Sequence, residues 1–149
     1  MSDRTGVPDS RVCFVDTSIL VYAFDRSDPA RSNVASELLS ELMTEGRLRL
    51  STQILQEFFV TVTRKIRTPL QVPEAIAVMD DLAVVPVFSP RYEHVRDAAR
   101  LSESNRISFW DALAVVAAAG SGAVLLCTED LNHGQIVLGI EIVNPFRES

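Results

Sequence analysis

The sequence lacks the residues and segments that several classes of protein require. It has only two cysteines and two histidines in 149 residues, and their scattered positions match no zinc-binding spacing. No apolar run approaches the roughly 20 residues that span a bilayer. Residues 1–11 form a polar leader without the apolar centre of a secretory signal, and we expect this leader to be poorly ordered. These absences predict a cytoplasmic protein with no membrane segment. Cys13 and Cys127 lie in the apolar runs 12–15 and 124–127, which predicts that both are buried thiols.

Positive charge is also scarce. The 14 Lys and Arg residues face 20 Asp and Glu residues, which gives a net charge of −6, whereas proteins that coat nucleic acid by electrostatics alone are usually basic. An acidic chain can still act on nucleic acid if bound cations meet the phosphates. The sequence leaves open whether its basic clusters contact a substrate, or are only cations at a helix C-terminus and on a solvent-exposed helix face. The clusters are Arg64, Lys65 and Arg67, and then Arg91, Arg96, Arg100 and Arg106.

Strands that alternate with helices dominate the rest of the chain. Short apolar runs predict strands at residues 12–15, 48–50, 84–88, 124–127 and 140–143. Amphipathic or apolar patterns predict helices over residues 16–24, 29–45, 51–66, 73–82, 91–104 and 108–119. This order is typical of one α/β domain in which a parallel sheet carries helices on both faces. Such sheets bind ligands outside the carboxyl ends of their strands.

Four acidic residues stand where a parallel sheet can gather them. Asp16 and Asp130 follow predicted strands, whereas Glu57 and Asp111 lie near the starts of predicted helices. Each has a local explanation: a helix cap or turn for the first two, a solvated helix face for Glu57, and a capping box with Ser108 for Asp111. Together, however, four carboxylates repel one another unless a cation lies between them. Mg²⁺ and Mn²⁺ prefer oxygen ligands and can activate water to hydrolyse a phosphodiester.

Four short motifs resemble those of PIN-domain nucleases. They occupy residues 14–22 (FVDTSILVY), 56–58 (QEF), 108–113 (SFWDAL) and 128–134 (TEDLNHG), and the ending at residues 142–146 (IVNPF) also fits. The resemblance covers residues 12–146 and is closest to the VapC-like toxin ribonucleases of bacterial type II toxin–antitoxin pairs. One Asp-Thr-Ser alone would be weak support, but four motifs in this order are strong support.

The resemblance implies a single PIN-like domain over residues 12–149, built on a five-stranded parallel sheet. It also implies cleavage of RNA that depends on Mg²⁺ or Mn²⁺. Glu129 is an alternative to Asp130, and His133 is expected to be a hydrogen-bonding residue of the loop. The resemblance assigns catalytic and metal-binding roles to Asp16, Glu57, Asp111 and Asp130, with supporting hydroxyls from Ser18 and Thr128.

The partners that the resemblance implies are an RNA substrate, a second copy of the chain in a homodimer, and a VapB-like antitoxin. Two other functions stay open from the sequence. One is a housekeeping PIN-domain nuclease for RNA processing, which would lack a neighbouring antitoxin gene. The other is a catalytically silent PIN-like binding module, against which the presence of all four acidic residues speaks.

Overall fold

The computed structural model describes residues 10–147, so most of the predicted leader lies outside the described residues. Within this range no helix is both long and apolar enough to cross a membrane. The described residues form six strands and six helices. In chain order these are β1 (Cys13–Val15), α1 (Thr17–Phe24), α2 (Pro29–Thr44), β2 (Leu48–Ser51), α3 (Thr52–Arg64), α4 (Val72–Leu82), β3 (Val87–Phe88), α5 (Tyr92–Asn105), α6 (Phe109–Gly120), β4 (Leu125–Cys127), β5 (Ile136–Val137) and β6 (Ile140–Val143).

The strands form one sheet in the order β3-β2-β1-β4-β6-β5. The five predicted strands are all present and pair in parallel, which confirms the predicted architecture. The predicted strand count is one too low, because β5 adds an antiparallel edge strand beside β6. A two-residue turn at Leu138 and Gly139, with φ angles of 53° and 77°, closes this hairpin.

The chain leaves β1 and β4 in opposite directions across the sheet. β1 leads through two helices to β2 on one side, whereas β4 leads through β5 to β6 on the other. Right-handed crossovers then put α1 to α4 on one face and α5 and α6 on the other. The helix contacts agree, because α1 contacts α2 and α3, α3 contacts α4, and α5 contacts α6. The crevice at the carboxyl ends of β1 and β4 is therefore the ligand site expected of this topology.

The two central strands lie at the heart of the apolar core. Every residue of β1 and β4 is buried, including Cys13 and Cys127, so the predicted burial of both cysteines is confirmed. Helix α6 covers this region with seven consecutive buried residues, 112–118. Since Asp16 and Thr128 follow these strands directly, the rigid core fixes the positions from which their side chains reach the crevice.

Candidate active site

Three carboxylates meet at the carboxyl ends of β1 and β4. Asp16 follows β1, Asp130 lies in the loop after β4, and Asp111 lies in the first turn of α6. One oxygen from each of the three lies within 4.8 Å of the others. We call these residues the acidic cluster. The spacing is suited to shared coordination of one small cation by oxygen ligands.

Asp16 serves both as a helix cap and as a member of the acidic cluster. Its Oδ1 accepts a hydrogen bond of 2.8 Å from the backbone N–H of Thr17, the first residue of α1. Its Oδ2 accepts a hydrogen bond of 2.8 Å from the hydroxyl of Thr128. The backbone N–H of Asp16 also donates to the carbonyl of Cys127 at 3.0 Å. The cap and the neighbouring strand thus hold this carboxylate in one orientation.

Burial makes the ionised form of Asp16 costly. The pKa of Asp16 is raised from 3.8 to about 6, chiefly by burial and also by the charges of Asp130 and Asp111, although hydrogen bonds from Thr128 and Thr17 lower it in part. Burial also raises the pKa of Asp130, with contributions from the charges of Asp111 and Glu129. A bound cation would offset these costs, because it favours the ionised form of every carboxylate around it.

Asp111 owes its position to the start of α6. The side-chain oxygen of Ser108 accepts a hydrogen bond of 3.0 Å from the backbone N–H of Asp111, which caps the helix. This confirms the half of the predicted capping box in which the serine acts as the cap. The carboxylate of Asp111 lies instead with Asp16 and Asp130. The local and the functional interpretations of this residue are therefore compatible.

Glu57 lines the same cavity as the acidic cluster without belonging to it. The hydroxyl of Thr17 donates to its Oε1 at 2.7 Å. The side-chain amide of Gln53, one turn earlier on α3, donates to its Oε2 at 3.4 Å. Because Thr17 directly follows Asp16, its backbone N–H holds the Asp16 carboxylate while its hydroxyl holds Glu57 of α3.

The two predicted supporting hydroxyls have different surroundings. Thr128 is buried, donates to Asp16, and accepts a hydrogen bond of 3.1 Å from the backbone N–H of Asp130. It therefore links two members of the acidic cluster. The Ser18 hydroxyl is buried against the cavity and has no hydrogen-bond partner among residues 10–147. An unpaired buried hydroxyl is uncommon, and a ligand in the cavity would offer it a partner.

The remaining polar residues of the fourth motif are engaged elsewhere. Glu129 forms an ion pair with Arg31, so Asp130 is the one of these two acidic residues that joins the cluster. The Nδ1 atom of His133 accepts a hydrogen bond of 3.0 Å from the backbone N–H of Asn144. His133 thus ties its loop to the end of β6, as a hydrogen-bonding residue would.

The acidic cluster opens into a cavity of about 590 Å³. All four predicted carboxylates line this cavity. Of the residues in the two basic clusters, Lys65 lines it as well. Sequence reasoning missed Thr17, Gln53 and Trp110, which line it as well. Trp110 carried a detectable signal, since it is an aromatic residue next to Asp111 in a site motif. Thr17 carried none, because its partner Glu57 lies 40 residues away.

Comparison with known proteins agrees with this architecture. None of the curated proteins matches the chain. Among solved structures the chain is similar to Mycobacterium tuberculosis VapC20, a sarcin-ricin loop cleaving toxin, with a TM-score of 0.61 and 21% identity over 76% of this chain and 86% of that one. It is also similar to a chain of VapBC2 from Rickettsia felis bound to a DNA fragment from their promoter, with a TM-score of 0.60 and 16% identity over 88% of this chain and 96% of that one. At these identities the likeness is one of fold.

A family model described as PIN domain matches residues 13–137, and the chain therefore belongs to the PIN domain family.

Proposed function

We propose that the chain is an endoribonuclease that depends on Mg²⁺ or Mn²⁺ and acts as the toxin of a toxin–antitoxin pair. The observation that carries this proposal is the grouping of Asp16, Asp111 and Asp130 within 4.8 Å at the carboxyl ends of the two central strands. Membership in the PIN domain family, whose members are generally nucleases, supports it.

The residues present fit a hard divalent cation. The donor atoms are carboxylate oxygens, which Mg²⁺ and Mn²⁺ prefer over the nitrogen and sulfur ligands of zinc. The raised pKa values of Asp16 and Asp130 indicate negative charge that the protein alone compensates incompletely. Asp16, Asp111 and Asp130 would hold the ion, and Glu57 would complete the acidic lining. When bound, the ion supplies charge neutralisation at the phosphate and a water that is easier to deprotonate.

The chain's own contribution to the reaction is to fix the acidic groups before substrate arrives. Thr128 holds one oxygen of Asp16 and the backbone of Asp130, so two cluster members keep their separation. Thr17 likewise holds Glu57 at the rim of the same cavity. Preorganised charges of this kind lower the barrier because they need no rearrangement when the transition state forms.

RNA as substrate and an antitoxin as partner are supported by the fold relatives. VapC20 is described as cleaving the sarcin-ricin loop, and the Rickettsia chain comes from a VapBC2 complex. We extend the proposal to a cytoplasmic homodimer and to a VapB-like antitoxin. A cationic side chain of such a partner, placed near Asp16 and Asp111, would relieve their repulsion and block the site.

The proposal is tested by incubating the purified chain with structured RNAs in Mg²⁺, in Mn²⁺ and in EDTA. We expect cleavage with either metal and none in EDTA. Asp16→Asn and Asp111→Asn should each lose at least about 100-fold in rate, in line with the removal of one preorganised charge-stabilising group. Asn caps a helix about as well as Asp, so these variants separate the chemical role from the structural one.

The matched control is Asp97→Asn, which removes the same charge from an exposed residue of α5. This variant should cleave like the wild type. Undiminished cleavage by both Asp16→Asn and Asp111→Asn would contradict the proposed site. Cleavage that persists in EDTA would contradict the role of the metal.

A further inference from the structure

The first turn of α6 places a large aromatic ring in water beside the acidic cluster. Trp110 is the sole tryptophan of the chain, and its side chain is 59% exposed although it directly precedes Asp111. Its ring contacts Phe109 edge to face, with centroids 5.2 Å apart. Among residues 10–147 the indole N–H has no protein acceptor. A tryptophan that is neither buried nor hydrogen-bonded is typical of a binding surface.

The same cavity contains a cation as well as the exposed ring. Lys65, at the end of α3, is exposed, and it pairs with no carboxylate in the described part of the chain. The cavity of about 590 Å³ is therefore lined by carboxylates, an aromatic ring and an ammonium group. These three chemistries match what one stretch of a polynucleotide presents: a phosphate to be cleaved, a base with a planar face, and a neighbouring phosphate.

From this juxtaposition we propose that Trp110 stacks on an unpaired nucleobase of the RNA and so places the adjoining phosphodiester at the acidic cluster, while Lys65 contacts the next phosphate. The inference rests on the proposed ribonuclease function and adds to it a substrate-binding residue. Bases in a duplex already stack on their neighbours and hide their faces, whereas unpaired bases can splay out onto an aromatic side chain. The site thus selects RNA that is single-stranded at the point of cleavage.

The position of Trp110 supports RNA stacking over docking of a protein partner. Its backbone is one residue from Asp111 on the same turn of α6, and both side chains line the same cavity. A base held by the ring therefore has its phosphate within reach of the carboxylates. Lys65 in the same cavity also favours the anionic backbone of RNA over the cationic segment of an antitoxin as the group that lies beside this ring.

Since Trp110 is the sole tryptophan, its fluorescence reports directly on the proposed contact. We would use the full chain carrying Asp16→Asn, to prevent cleavage, and titrate it with an unstructured RNA of about ten nucleotides, a length within the usual range for single-strand sites. Anisotropy of labelled RNA measures affinity independently. We expect the single strand to quench the tryptophan and the same strand hybridised to its complement to leave it unquenched.

Substitution of the ring supplies the second readout. In the same background Trp110→Ala should weaken single-strand binding roughly 5- to 150-fold, the usual range for loss of one base stack, and Trp110→Phe should retain most of the affinity. In the otherwise wild-type chain Trp110→Ala should raise KM with little change in kcat, because stacking acts on the ground state and the transition state alike. Lys65→Gln should lower the salt dependence of binding by about one ion.

Unchanged fluorescence at an RNA concentration that saturates the anisotropy signal would overturn the proposal. Equal KM values for the wild type and Trp110→Ala would also overturn it and would favour a protein partner for the ring. In both cases metal-dependent cleavage by the wild type would leave the ribonuclease function standing. If the wild type neither binds nor cleaves RNA, both proposals fail together.

Discussion

Asp16→Asn is expected to stabilise the metal-free protein near neutral pH while it abolishes activity. In the folded chain burial raises the pKa of Asp16 from 3.8 to about 6. The folded state therefore binds a proton more tightly than the unfolded state does. It follows that the stabilisation from the protonated carboxyl is complete below about pH 4 and is lost as the pH rises through about 6.

The magnitude follows from the size of the shift. One pKa unit corresponds to 1.36 kcal/mol, so a rise of about two units costs the folded state about 3 kcal/mol once Asp16 is fully ionised. Asn carries no charge and can keep the cap on α1. Its amide can also donate to the Thr128 hydroxyl, which at present donates to Asp16. Because this rearrangement is imperfect, we expect a gain of about 1–3 kcal/mol in the free energy of unfolding.

Urea denaturation in EDTA, near pH 4 and near pH 7.5, measures this gain. Asp16→Asn should exceed the wild type at the higher pH, and the two should converge at the lower pH. Asp97→Asn is the matched control and should follow the wild type at both values. If Asp16→Asn is less stable than the wild type near pH 7.5, the proposed cost of burying the Asp16 charge is refuted.

Two further predictions concern the same site, and a third concerns assembly. Thr128→Val removes the hydroxyl that donates to Asp16, so this substitution should raise the pKa of Asp16 further. It should also weaken Mn²⁺ affinity about 10-fold, as loss of a supporting hydrogen bond does in other metal sites. Equal Mn²⁺ affinities by calorimetry would contradict the role given to Thr128. Cleaved RNA should carry 5′-phosphate and 3′-hydroxyl ends, because an attacking water leaves the ribose 2′-hydroxyl uninvolved, and 2′,3′-cyclic phosphate ends found by end mapping would exclude this mechanism. The chain should sediment as a homodimer at micromolar concentration, and a 16.4 kDa species alone would count against the dimer.

The sequence predicted the sheet well where strands are buried and poorly at its edges. The central strands β1 and β4 are uniformly apolar and directly recognisable. β3 is shorter than the predicted 84–88, because Pro86 has no N–H to donate and Val85 instead closes a turn onto Leu82. β5 was missed because its turn puts Leu138 at φ 53°, a conformation that a leucine does not signal in advance.

The candidate site was predictable as far as topology alone decides it. The positions after two central strands and at the start of α6 are close in any sheet of this type, so Asp16, Asp111 and Asp130 could be grouped from the sequence. Side-chain partners over long separations could not. The resemblance to the motif favoured Asp130 over Glu129, but no sequence pattern shows that Glu129 pairs with Arg31. Trp110 escaped notice because its motif also reads as an ordinary helix start.

The proposed cleavage of RNA depends on a cation bound by the acidic cluster. Calorimetric titration of the purified chain with Mn²⁺, without RNA, measures this binding directly. We expect the wild type to bind Mn²⁺, Asp111→Asn to lose at least about 10-fold in affinity, and Asp97→Asn to bind like the wild type. Glu57→Gln should lose less than Asp111→Asn, because Glu57 lies outside the three-residue cluster. Equal Mn²⁺ affinities for Asp111→Asn and the wild type would show that the acidic cluster does not hold the cation.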